Sequence, residues 1–104
     1  MDPPRLRRGV VATRLRRALR NRCEHAFLFG SLARDEHTVH SDIDLCIVAR
    51  TRAPFAERFQ EFIDIVQKFA PMDLVVLTPS EFRAVQTEGD FFWQQVIKGR
   101  FRVI

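Results

Sequence analysis

Two short apolar runs with an aspartate in their first two positions set the tightest limit on what this chain can fold into. The first is Asp42-Ile43-Asp44-Leu45-Cys46-Ile47-Val48-Ala49, and the second is Met72-Asp73-Leu74-Val75-Val76-Leu77. Both are short, rich in β-branched residues and bounded by polar or breaking positions, which predicts strands. Alternate residues of a strand share a face, so Asp42 and Asp44 project together with Cα atoms about 6.5 Å apart. Ile43, Leu45 and Ile47 then point to the other side. Like charges that close raise each other's pKa and oppose folding unless something compensates, and a hard divalent cation with oxygen ligands is the simplest compensation. Mg²⁺ is the expected ion. A single Asp-x-Asp at a strand mouth also reads as plain surface charge. The third carboxylate, Asp73, tips the balance: if the two strands are neighbours, all three meet at one end of the sheet.

Upstream, Ala26 to Phe29 reads as another short strand, ending at Gly30, and residues 31–36 as one turn of helix. A glycine there lets the backbone turn and a ligand come close. The amides of the following turn, with the Ser31 hydroxyl, then offer donors to phosphate oxygens. Pro54 to Ala70 reads as an amphipathic helix with Phe55, Phe59, Phe62, Val66 and Phe69 as its core stripe. Thr78-Pro79-Ser80-Glu81 has the form of a capping box with proline at the first helical position, and Asp90 to Lys98 of a helix closed by Gly99. Phe101 to Ile104 adds a terminal strand. This alternation predicts an α/β fold, a small mixed sheet covered by helices.

With 104 residues the chain has room for one small domain, 1–104, that buries roughly 60 to 70% of its unfolded surface. No run approaches the ~20 apolar residues of a membrane span. Cys23 and Cys46 make neither a disulfide framework nor a C-x-x-C site, and the N-terminus lacks an apolar signal region. A reduced, cytoplasmic setting is expected. The net charge of +4 hides an asymmetry, because residues 1–22 hold eight Arg against one Asp while the rest is net acidic. Read as a helix, this segment puts Val11, Leu15, Ala18 and Leu19 on one face and Arg14, Arg16, Arg17 and Arg20 on the other. Such a face suits solvent, an acidic protein or a phosphate backbone. It carries no interleaved aromatic to stack bases, so a protein partner is favoured over nucleic acid.

The combination Gly30-Ser31-Leu32-Ala33-Arg34, Ser41-Asp42-Ile43-Asp44-Leu45 and Asp73 strongly resembles the nucleotidyltransferase superfamily related to DNA polymerase β, in particular its minimal stand-alone members. The resemblance covers residues 27–77 well and the flanks loosely. It implies that Gly30 and Ser31 hold the β- and γ-phosphates of a nucleoside triphosphate. It implies that Asp42, Asp44 and Asp73 bind two Mg²⁺ ions, with Asp73 helping to deprotonate the acceptor. Arg34 can neutralise phosphate or pair with Glu36 or another local acid. Minimal members of the family typically occur with a helical HEPN ribonuclease toxin. By that analogy the chain is an antitoxin that transfers AMP from ATP to a tyrosine of its partner, in a hetero-oligomer. A non-catalytic module that neutralises by contact, and transfer to RNA or a small-molecule hydroxyl, are the alternatives. One departure stands out: the family's usual glycine after the motif arginine is Asp35, which can adopt the same left-handed backbone at some cost but adds negative charge near the phosphate site. His37 and His40, in the loop between the motifs, read as solvated or brushing the nucleotide, and His25 as structural or solvated.

Overall fold

The computed structural model describes residues 7–36 and 42–104. Ser41, His37 and His40 lie outside the described residues, as does the start of the basic segment. The chain runs through α1 (Arg8–Leu19), β1 (His25–Phe29), α2 (Gly30–Ala33), β2 (Ile43–Val48), a 3-10 helix (Phe55–Phe62) continuing into α3 (Ile63–Lys68), β3 (Met72–Leu77), α4 (Pro79–Glu88), α5 (Phe91–Lys98) and β4 (Phe101–Arg102). The strands form one mixed sheet in the order β3-β2-β1-β4. β1 is antiparallel to both β2 and β4, whereas β2 and β3 are parallel. Parallel neighbours need a crossover, and the 3-10 helix with α3 supplies it. The expected α/β architecture of a small mixed sheet with helical cover is what the chain adopts. No helix among the described residues is long and apolar enough to cross a membrane.

Strand parity divides the side chains into two clusters. Leu28, Ile43, Leu45, Ile47 and Val76 face α1, α2, the 3-10 helix and α3, where Val11, Leu15, Leu19, Leu32, Phe62 and Ile65 complete the larger core. Val11, Leu15 and Leu19 form the inner stripe of α1, as its 3.6-residue spacing predicts. On the opposite face, Phe27, Phe29, Cys46 and Leu77 meet Phe82, Val85, Trp93 and Val96 from α4 and α5. Thr78 caps α4 with the full reciprocal box, its hydroxyl accepting from the Glu81 amide and the Glu81 carboxylate accepting from the Thr78 amide. Asp90 caps α5 by accepting from the Trp93 amide, and Gly99 follows its last residue.

The amphipathic helix expected over residues 54–70 is corrected by the structure. Phe55–Phe62 winds as a 3-10 helix, with three residues per turn, so the buried face rotates away from the 3.6-residue stripe. Arg58 and Phe62 turn inward, while Phe55 and Phe59 stay 54% and 41% exposed. Arg58 is held in this unusual inner position by three acceptors: the Ala53 carbonyl at 2.9 Å, the Val76 carbonyl at 3.1 Å and Glu81 Oε1 at 2.6 Å. A buried guanidinium is tolerated because its donors are satisfied and its charge is paired.

Candidate active site

The site is assembled by register. Phe29, the last residue of β1, pairs with Asp44 of β2, and Asp44 pairs with Asp73 of β3. All three lie on the sheet face that carries α4 and α5, since Cys46 and Val75, two residues further along their strands, belong to that cluster. The chain then turns at Gly30, whose φ of +67° favours glycine. A Cβ on Gly30 would overlap Asp44 Oδ2 and lie 3.2 Å from Asp44 Cγ. The bend at Gly30 and the Asp44 carboxylate are therefore packed together, and only a residue without a side chain allows it.

α2 begins at this bend and is a single turn whose first amides have no intrahelical acceptor. Ser31 takes part through its carbonyl, which accepts from the Glu36 amide at 2.8 Å. The far end of α2 is fixed from outside: Arg8 of α1 donates to the Ala33 carbonyl at 2.7 Å, and its guanidinium lies 4.8 Å from the centre of the Phe101 ring. Nothing in the sequence marked Arg8 for this role, because the contact spans 25 residues and depends on where α1 docks. Asp35 closes the turn with φ +60°, the left-handed backbone expected of it. It lines a groove together with Arg7 and with Arg8, Arg14 and Arg17 of α1.

Asp44 is half-buried, and its pKa is pushed up to about 6, first by burial and then by the charges of Asp73 and Asp42. A hydrogen bond shared with Asp73 adds to the rise, and Arg34 opposes it. Arg34 itself pairs with Glu36 at 3.2 Å, with both side chains more than half exposed. Cys46, the next residue on this face of β2, is buried, which pushes its thiol up to about 12 and keeps it neutral. Cys23 and Cys46 are both free thiols.

The expected meeting of carboxylates is therefore found for Asp44 and Asp73, on neighbouring strands and in register. Asp42 precedes the first residue of β2, lies exposed, and acts on Asp44 through its charge. Among the described residues no group of three or more His, Cys, Asp or Glu side chains is set around a common point to hold a metal ion. The pair nonetheless has the chemistry that a divalent cation answers: oxygen donors, partial burial, and net negative charge that no ion pair among the described residues neutralises.

A strand-end carboxylate pair against a glycine bend, with amides and an arginine nearby, can orient a phosphate chain and accept a proton. No curated protein matches the chain. A family model described as a nucleotidyltransferase domain matches residues 13–98, most of its length.

Proposed function

We propose that this chain, which belongs to the nucleotidyltransferase domain family, transfers AMP from ATP to a tyrosine hydroxyl of a partner protein and thereby silences a HEPN-type ribonuclease toxin. The observation that carries the transferase reading is Asp44 packed against the left-handed Gly30 and in register with Asp73. In this reading the whole chain acts as one minimal domain in the cytoplasm.

Asp44 and Asp73, with Asp42 beside them, would hold two Mg²⁺ ions, which supply charge neutralisation on the phosphates and acidify the attacking hydroxyl when bound. The backbone at Gly30 lets the triphosphate approach without a side chain in the way, and the Ser31 amide and hydroxyl would donate to the β- and γ-phosphates. Arg34 can leave Glu36 for a phosphate at small cost, because exposed ion pairs contribute little. Asp73, exposed at the sheet edge, takes the proton from the tyrosine hydroxyl. The hydroxyl oxygen bonds to the α-phosphorus as the bond from that phosphorus to the bridging oxygen breaks, and pyrophosphate departs with the electron pair.

The acceptor comes from the resemblance to minimal stand-alone members and not from the geometry. The chain has no Tyr, which excludes tyrosine self-modification. Incubation with Mg²⁺, α-labelled ATP and the protein encoded beside this chain tests the proposal. Label should enter the partner and fall about a thousandfold with Asp44→Asn, a loss of about 4 kcal/mol in transition-state stabilisation. Neutralisation of the partner that survives Asp44→Asn, with no label transferred, would replace this reading with inhibition by contact alone.

A further inference from the structure

At the end of the sheet away from Asp44, two grooves share a wall. One, of about 820 Å³, lies between the start of β1, α4 and the turn from α5 into β4, and includes Arg83, Lys98, Arg100 and Arg102 in its lining. The other, of about 640 Å³, lies between the C-terminal half of α1 and β4 and includes Arg16, Arg20 and again Arg102. Arg102 belongs to both, so a band of six cations passes over the β4 edge of the sheet. None of the six is in an ion pair among the described residues. The one acid in the larger groove, Glu24, is taken by Arg50 at 3.0 Å.

Like charges gathered from α1, α4, α5 and β4 repel one another, and a polyanion would relieve that repulsion. The floor of the larger groove is aromatic: His25 and Phe82 have ring centres 6.2 Å apart, and Phe82 and Phe27 5.7 Å. We infer that this band is a track for single-stranded nucleic acid, with phosphates along the cations and a base against Phe82 and His25. The aromatic surface that α1 lacks in sequence is brought to its arginines by α4 and β1. A duplex would hide its bases from those rings, and carboxylate side chains have no flat face to stack on them, whereas every base of a single strand does. The band lies at the opposite end of β1 from the Gly30 bend, so this binding does not depend on the carboxylate chemistry.

Anisotropy of a fluorescein-labelled 12-nucleotide single-stranded RNA tests it. The full chain should bind, and raising salt from 50 to 200 mM should weaken binding about fiftyfold if four phosphates are contacted. Lys98→Gln/Arg100→Gln/Arg102→Gln should weaken binding at 50 mM salt at least about tenfold and flatten the salt dependence. Arg83→Gln, on the exposed side of α4, should weaken it severalfold and serves where the triple variant folds poorly. Asp44→Asn/Asp73→Asn should bind RNA as the unaltered chain does. The inference is overturned if the chain shows no salt-dependent binding, or if both cation variants bind unchanged. It is also overturned if polyglutamate at equal charge displaces the RNA as well as unlabelled RNA does, which would assign the band to an acidic protein.

Discussion

The two faces of the sheet are built to different standards. Under α1, α2, the 3-10 helix and α3, the residues Leu15, Leu19, Leu28, Leu32, Leu45 and Ile47 are fully buried. Across the sheet, α4 has no buried residue and α5 has one, Val96, while Phe91 and Phe92 at the start of α5 remain largely exposed. The carboxylates stand on the thin face. Close packing there would force Asp44 to stay protonated or would exclude a substrate, whereas full exposure would leave its pKa ordinary. Partial cover sits between these limits, so stability is concentrated on one side and chemistry is left room on the other.

Core truncation should break this contrast most strongly. Leu45→Ala should cost about 3–4 kcal/mol in urea unfolding, because the site cannot collapse around the missing side chain. Val96→Ala on the thin face should cost about 1.5 kcal/mol, the value for two buried methylenes. A loss per deleted carbon equal to that at Leu45 would mean that the second face is as well packed as the first.

A smaller effect concerns Asp44 itself. Its folded pKa of about 6 lies above the ordinary 3.8, so the unfolded chain ionises first as pH rises. Free of divalent ions, the fold should lose stability between about pH 4 and pH 6 and not recover that increment at higher pH. Asp44→Asn should remove this step and melt several degrees higher at pH 7. Mg²⁺ should raise the melting temperature of the unaltered chain and leave the variant nearly unmoved. A melting temperature of the unaltered chain that is flat across this range would argue against the uncompensated pair. Least of all, Thr78→Ala should cost about 1 kcal/mol by removing the α4 cap, a shift of a few degrees that sharpens how much of the thin face rests on helix ends.

What could be read in the sequence was whatever local pattern decides. The parity of Asp44 against Cys46 and of Asp73 against Val75, the Gly30 turn, the inner stripe of α1 and the Thr78 box all follow from spacing within a few residues. The Phe55 and Phe59 stripe departs from the 3.6-residue pattern because the segment winds as a 3-10 helix with Arg58 turned inward, and the acceptors of Arg58 come from a loop, a strand and a helix. The clamp of Arg8 on α2 and the basic band across β4 were hidden for the same reason. Each joins segments whose meeting is decided by tertiary packing. The position of Asp42 just outside β2 is a boundary effect of one residue, beyond what periodicity resolves.

Arg58 has a consequence for how copies of this chain meet in a crowded solution. The Leu77 and Pro71 carbonyls accept from β2 and its flank, so the alternate carbonyl of Val76 points outward from the last strand of the sheet. Outward carbonyls are where a foreign strand would zip on. At that point it would first have to evict a guanidinium already bonded to Ala53, Val76 and Glu81. A single cation thus occupies one of the outward acceptors that an added strand would need at this edge.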